Sequence, residues 1–325
     1  MNRKLCEAKL KTGEKMEIYV VSAPDGEYEN GILSLLRHKG GIWQWHMEAA
    51  FRGETGRLQS RFYLGIVDGR IIANVSTWEN GPTGILAHVF TVEDQRRKGA
   101  CKAIMAVLME DFLRRGGKVL TLGTGYGSPS YHIYKGFGFR SMTEGSGSMR
   151  YDADPAFEEG FFSWGNVRSR GLEWQDWSTL SVLFAVQDGS YLRSLSHGVF
   201  GPTNYEGYFL QDLKGRLEGS WQANLLESEG GAIMGYATLI PDGRWRNQVW
   251  LLDLFLHPRF ESRAILLLEA MDWPKEKVQC YVETDLSWKI DALSKLGFHK
   301  EAIFLKQIRK EDEAMDVLVM KRPAQ

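Results

Sequence analysis

Residues 93–103 read "EDQRRKGACKA", with Arg96, Arg97 and Lys98 immediately before Gly99. The residues after this glycine are helical in pattern: Ala100, Ile104, Val107, Leu108 and Phe112 recur at helical spacing, with Lys102, Glu110 and Arg114 between them. Arg114 and Arg115, then Gly116 and Gly117, suit the far end of that helix. Three cations at a helix start oppose the macrodipole, whose positive pole lies there. An anion among them would reverse that cost. The first turn of a helix offers free N–H donors, and a glycine lets the backbone approach a ligand closely. The residues alone leave two readings open: a cradle for a diphosphate, or a solvated basic helix start.

On either side of this loop, "TGILAHVFTV" before it reads as a strand, and "KVLTLGTG" after the helix as a buried one. "SPSYHIYKGFGF" opens with Ser128 as an N-cap and Pro129 at the first helical position. Upstream, "KMEIYVVSAPDG" is a strand, while "YENGILSLLRHKGG" and "IWQWHMEAAFRGE" have helical spacing. "RLQSRFYLGIVDGRIIANVSTWENG" is strand, Asp68–Gly69 turn, strand. The order strand, two helices, antiparallel strands, helix, strand, helix, strand predicts an α/β mixed sheet with helices on its faces.

On these residues the chain resembles the GCN5-related N-acetyltransferases, the GNAT family. Their cofactor loop reads Arg/Gln-x-x-Gly-x-Gly/Ala and falls here on Arg96, Gly99 and Cys101. A later Tyr-x-x-x-Gly-Phe falls on Tyr134, Gly138 and Phe139. The resemblance covers roughly residues 16 to 150, and two motifs in order about 40 residues apart are fairly specific. Cys101 departs from the pattern but remains small.

The resemblance implies acetyl-CoA as co-substrate, held in a V-shaped gap between "GILAHVFTV" and "KVLTLGTG". Backbone groups of Val89, Phe90 and Thr91 would pair with the pantetheine arm. Amides from about Arg97 to Lys102, including Gly99, Ala100 and Cys101, would grip the diphosphate, with Arg96, Arg97, Lys98 and Lys102 adding positive field. It also implies direct attack by an amine on the thioester, with a strand N–H near Val89 to Thr91 meeting the oxyanion. Tyr134 stands where the family places the proton donor to the leaving thiolate. For the base, His88 and Glu79 are candidates beside a relay through water. Trp43, Trp45 and His46 line either an acceptor pocket or a packed interior.

The second half repeats the order of elements. "RGLEWQDWSTLSVLFA" reads as a helix, "EGSWQANLLES" as a strand, "ESRAILLLEAMDW" and "SWKIDALSKLGF" as helices, and "HKEAIFLKQIRK" with "AMDVLVMKR" as a closing hairpin. Gly138–Phe139 corresponds to Gly297–Phe298, and Ala73 to Gly235. Two tandem GNAT-like domains result, residues 1–152 and 153–325, the second degenerate. It has "LHPRFESRAILL" with no glycine at the cradle, and Leu293 where the first has Tyr134.

A net charge of −1 over 325 residues argues against nucleic acid or an anionic membrane as partner. Cys6, Cys101 and Cys280 are scattered and suggest neither a disulfide framework nor a metal site. With no apolar leader and no apolar run of membrane-spanning length, a cytoplasmic monomer or homodimer is expected. The expected function is N-acetylation of a small-molecule or peptide amine. The runner-up is a non-catalytic acyl-CoA sensor on the same fold.

Overall fold

The chain opens with a hairpin of β1 (Asn2–Lys9) and β2 (Lys15–Ser22), closed by Gly13 in the left-handed region. Sequence patterning missed β1, because its exposure does not alternate. In β2, Met16, Ile18 and Val20 turn to one side and are buried. Helices α1 (Glu29–Leu35) and α2 (Gly41–Phe51) precede β3 (Gln59–Val67), β4 (Arg70–Asn80) and β5 (Thr83–Thr91). Asp68 and Gly69 join β3 to β4, both with positive φ, as a two-residue hairpin of this hand requires. Then come α3 (Ala100–Arg114), β6 (Val119–Gly123), α4 (Pro129–Gly136), β7 (Arg140–Ser141) and β8 (Ser148–Asp152).

The computed structural model describes residues 2–324 and resolves into two units. One ends at Phe157 and takes in Trp174–Val182; the other holds Glu158–Glu173 and the chain from Leu183 onward. The first unit's sheet has the order β1-β2-β3-β4-β5-β6-β8-β7. All its pairings are antiparallel except β5 with β6. Helix α3 buries Ile104, Met105, Leu108 and Phe112 on one face of this sheet, together with Leu10, Ile18, Tyr63, Val75 and Leu122. Gly116, with positive φ, ends this helix, and a Cβ on the following Gly117 would overlap the Phe112 ring.

Beyond β8 lie α5 (Phe157–Phe161), β9 (Val167–Gly171), α6 (Asp176–Phe184), β10 (Leu192–Ser194), β11 (Val199–Phe200) and α7 (Glu206–Leu217). Strands β12 (Gln222–Ser228), β13 (Ile233–Pro241) and β14 (Val249–Leu256) lead to α8 (Ala264–Glu269). Strand β15 (Lys277–Glu283), α9 (Ser287–Lys295), β16 (His299–Lys310) and β17 (Glu313–Arg322) complete the chain. The second unit's sheet order is β9-β12-β13-β14-β15-β17-β16, and only β14 and β15 run parallel. That repeats the order β2-β3-β4-β5-β6-β8-β7 of the first sheet. The repeat extends to helix ends: Phe139 N–H bonds Tyr134 O at 3.2 Å, Phe298 N–H bonds Leu293 O at 3.1 Å, and Gly138 and Gly297 both have positive φ. The helix read over "ESRAILLLEAMDW" is instead a 3-10 segment, Pro258–Arg263, and a six-residue α8. No helix among the described residues is long and apolar enough to cross a membrane.

One charged cluster is buried in the first unit. Asp111 of α3 accepts hydrogen bonds from Tyr63 Oη (2.8 Å), Arg115 Nε (2.9 Å), Arg3 and Arg114. Burial alone would raise its pKa, but the Tyr63 hydroxyl and Arg115 outweigh that and hold it below the usual carboxylate value. Removing Asp111 takes the acceptor from the buried Tyr63 hydroxyl and leaves Arg115 paired with Glu79. Asp111→Ala is therefore expected to cost about 3 kcal/mol in urea unfolding; a loss below about 1 kcal/mol would show that the cluster is not stabilising.

Candidate active site

Parallel pairing between β5 and β6 covers Thr83–Val119, Gly84–Leu120 and Ile85–Thr121, and stops there. Beyond it the β6-facing edge of β5, from Leu86 to Thr91, has no neighbouring strand. A β-bulge sharpens the parting. Asn74 faces Phe90 and Ser76 faces Ala87, so Val75 opposes both His88 and Val89. His88 takes φ 50, a conformation that disfavours side chains. Asn74, fully buried, donates from Nδ2 to His88 O at 2.8 Å and holds the bulge.

The opening leads into a cleft of about 420 Å³. Val89, Phe90 and Thr91 form one wall; Gln95, Arg96, Arg97, Gly99, Ala100, Cys101 and Lys102 form its floor; Pro129, Ser130 and Ile133 of α4 close it, with Lys11 at the rim. Among the described residues that line it, four are cationic and none is acidic. Arg97 and Gly99 both have positive φ, at 64° and 99°, which curls successive amides into a concave nest. Gly99 is the N-cap of α3, and no side chain caps this end. The first intrahelical bond is Ala103 N–H to Gly99 O, so the amides of Ala100, Cys101 and Lys102 point out of the helix toward the cleft. An anion fits this end chemically. Burial pushes the Cys101 thiol up to about 11, so it is no nucleophile at neutral pH.

The expected residues separate into those the cleft brings together and those it does not. Val89 to Thr91, Arg96, Arg97 and Gly99 to Lys102 line it. Lys98 does not: its ammonium turns away to Gln95 Oε1 (2.9 Å) and Glu14 Oε2 (3.3 Å). Tyr134, one turn from Ser130 on the same face of α4, is buried beside Phe139.

Both proposed bases must be corrected. Glu79 pairs with Gly84, at the closed end of the two strands, roughly 20 Å along β5 from Thr91 at 3.3 Å per residue. Its carboxylate is already committed to Arg115 and to Thr77 Oγ1 (2.6 Å). His88 is buried with its ring edge-on to Trp43 and Trp78, and burial, then Lys39, lowers its pKa to about 3. So weak a base takes no proton from an amine. Trp43, His46, Trp78 and Trp177 pack as one aromatic cluster, with His46 fully buried and both its ring nitrogens without hydrogen-bond partners. For His46 this is packed interior, the blander of the two sequence readings. Sequence reasoning missed Asn74 and Lys11, which lie outside the quoted motifs, and did not assign Gln95, Pro129, Ser130 and Ile133 to the wall.

A parted pair of parallel strands meeting an uncapped helix start matches the gap and loop that the motif resemblance implies. Residues 30–139 match the family model described as Acetyltransferase (GNAT) family; this segment is a GNAT acetyltransferase domain. Among solved structures, the chain is similar to an acetyltransferase of the GNAT family from Streptococcus pneumoniae (19% identity, 49% of this chain and 100% of that one, TM-score 0.38). It is similar also to a ribosomal-protein-alanine N-acetyltransferase from Brucella melitensis (19%, 48% and 98%, 0.38). A third is a phosphinothricin acetyltransferase from Sinorhizobium meliloti in complex with acetyl-CoA (14%, 49% and 89%, 0.38). A search of curated protein sequences found no match.

In the second unit the equivalent parting exists but is filled. β14 and β15 pair from Val249–Lys277 to Leu252–Cys280 and then separate. Leu192 N–H donates to Glu283 of β15 at 2.7 Å. Ser194 Oγ and the Leu195 and Ser196 amides donate to Asp253 of β14 at 2.8, 2.9 and 3.0 Å. The chain's own β10 segment thus bonds to both strands. His257 Nδ1 accepts from the Arg259 amide (3.2 Å), so the turn after β14 is capped by a side chain.

The histidine cluster has a measurable consequence. Burial drives His46 well below the ordinary histidine value, as it does His88. Folded, both bind fewer protons than unfolded, so their contribution to stability is complete above about pH 6.5 and is lost as pH falls. Each is expected to remove about 1.4 kcal/mol per pH unit below that point. Denaturation curves at pH 7, 6 and 5 should show His46→Phe flattening the loss by one histidine's share; an unchanged slope would mean that His46 titrates normally in the folded protein.

Proposed function

We propose that this chain is an acetyl-CoA-dependent N-acetyltransferase acting on a primary amine of a small molecule or peptide, by direct attack in a ternary complex. The observation that carries it is the cationic cleft where β5 and β6 part, continuous with the uncapped start of α3. The amides of Gly99 to Lys102 would hold the cofactor's diphosphate, with Arg96, Arg97 and Lys102 around it. The free edge of β5 at Val89 to Thr91 would orient the pantetheine as an added strand. Acetyl-CoA supplies an activated acyl group on a thiolate leaving group. Backbone N–H groups near the His88–Val89 bulge would face the carbonyl oxygen. Tyr134 would give its hydroxyl proton to the departing sulfur. His88 is buried and weakly basic and Glu79 is held by Arg115 and Thr77, so the amine's proton would leave through water in the cleft. Residues 1–152 would form the catalytic domain and 153–325 a copy that has lost cofactor binding.

Amine-dependent release of free thiol from acetyl-CoA, across polyamines, amino acids, aminoglycosides and peptides, tests the reading. Tyr134→Phe should lower kcat about 100-fold and leave the CoA Kd within about twofold. Gly99→Val should weaken CoA binding at least about tenfold, because a β-branched residue resists the left-handed conformation. Tight CoA binding with no amine-dependent release would favour a sensor instead.

Calorimetric titration addresses the second copy: one CoA per chain is expected, and two would contradict a filled second gap.

A further inference from the structure

The turn between β1 and β2, which lies outside the family-matched residues 30–139, is fastened to the cradle at three points. Leu10 is buried in the core beside α3. Lys11 N–H donates to Lys98 O at 3.0 Å, and Lys98 Nζ reaches back to Glu14 Oε2 at 3.3 Å. This clamp removes the Lys98 ammonium from the cleft. It also places Lys11 on the rim beside Gly99, whose ideal Cβ position lies 3.8 Å from Lys11 Cγ. Lys11 itself is solvent-exposed and has an unbranched stem long enough to swing over the helix start.

We propose that Lys11 is a cofactor-binding residue, its ammonium pairing with the diphosphate held at the start of α3 in place of Lys98. The inference rests on the cleft being a CoA site. Lys98 has a positioning role: it holds the hairpin, and the hairpin delivers the cation. The chemistry fits on two counts. An ammonium is a compact point charge suited to a non-bridging phosphate oxygen. A turn anchored by a buried leucine and two hydrogen bonds has little freedom left to lose on binding.

The test measures Kd by calorimetry for CoA, dephospho-CoA and phosphate-free pantetheine, at low salt, with the unaltered full chain, Lys11→Met, Lys11→Arg and Lys9→Met. Lys11→Met is expected to weaken CoA and dephospho-CoA alike, by about fivefold, as loss of one partly exposed ion pair should. Pantetheine binding should be unchanged, Lys11→Arg should retain most of the affinity, and the loss should shrink as salt is raised. Lys9→Met, a neighbouring charge outside the cleft, should have no effect. A loss confined to CoA would move Lys11 to the 3′-phosphate and overturn the assignment, as would equal affinity of Lys11→Met and the unaltered chain for all three ligands. If the unaltered chain bound neither CoA nor dephospho-CoA, the reading of the cleft would fall, and this inference with it.

Discussion

Everything at this site depends on two parallel strands ceasing to pair. After Ile85 and Thr121, β5 and β6 no longer pair. Unpaired backbone groups in a protein interior are costly, so such an edge persists only where something else can satisfy it. A bulge at His88, pinned by a buried asparagine, keeps the strand on its diverging course. The helix that begins nearby is left without a cap, and the loop before it curls its amides the same way. Three backbone features, an unpaired strand edge, an uncapped helix start and a curled loop, converge on one cleft.

The second unit shows the alternative outcome of the same topology. Its strands part at the matching place, yet Asp253 and Glu283 recruit amides and hydroxyls from the chain's own β10 segment. Its turn after β14 is capped by His257 rather than left open. One sheet order therefore supports two ways to satisfy a splayed edge, from outside or from within. Acidic side chains on the second pair of strands, where the first cleft is lined by cations, separate the two.

Much of this was legible in the residues. The helix after Gly99, the Ser128 cap, the Asp68–Gly69 turn and the doubled Gly-Phe ends are local features with local causes, and each lies where its chemistry required. The repeat could be read because both copies keep the same helix-stop glycines. What escaped was non-local. Nothing near Lys98 announces that Glu14, 84 positions away in sequence, will take its ammonium. Glu79 looked adjacent to the strand gap because it ends the preceding strand, but antiparallel pairing sends that end to the far side. His88 was credible as a base until burial among tryptophans removed its basicity. The β10 plug and the β1 strand lack regular alternation, so no periodicity betrayed them.

The opening hairpin bears on how this protein can be dissected. The family-matched segment begins at residue 30, and a fragment cut there would discard β1 and β2. Tyr63 and Leu64 of β3, now opposite Val20 and Tyr19, would become a bare sheet margin inviting self-association. The underside of α3 would lose Leu10, Met16, Ile18 and Val20 from beneath it. Where homology begins and where a cooperative folding unit begins are, for this chain, different places.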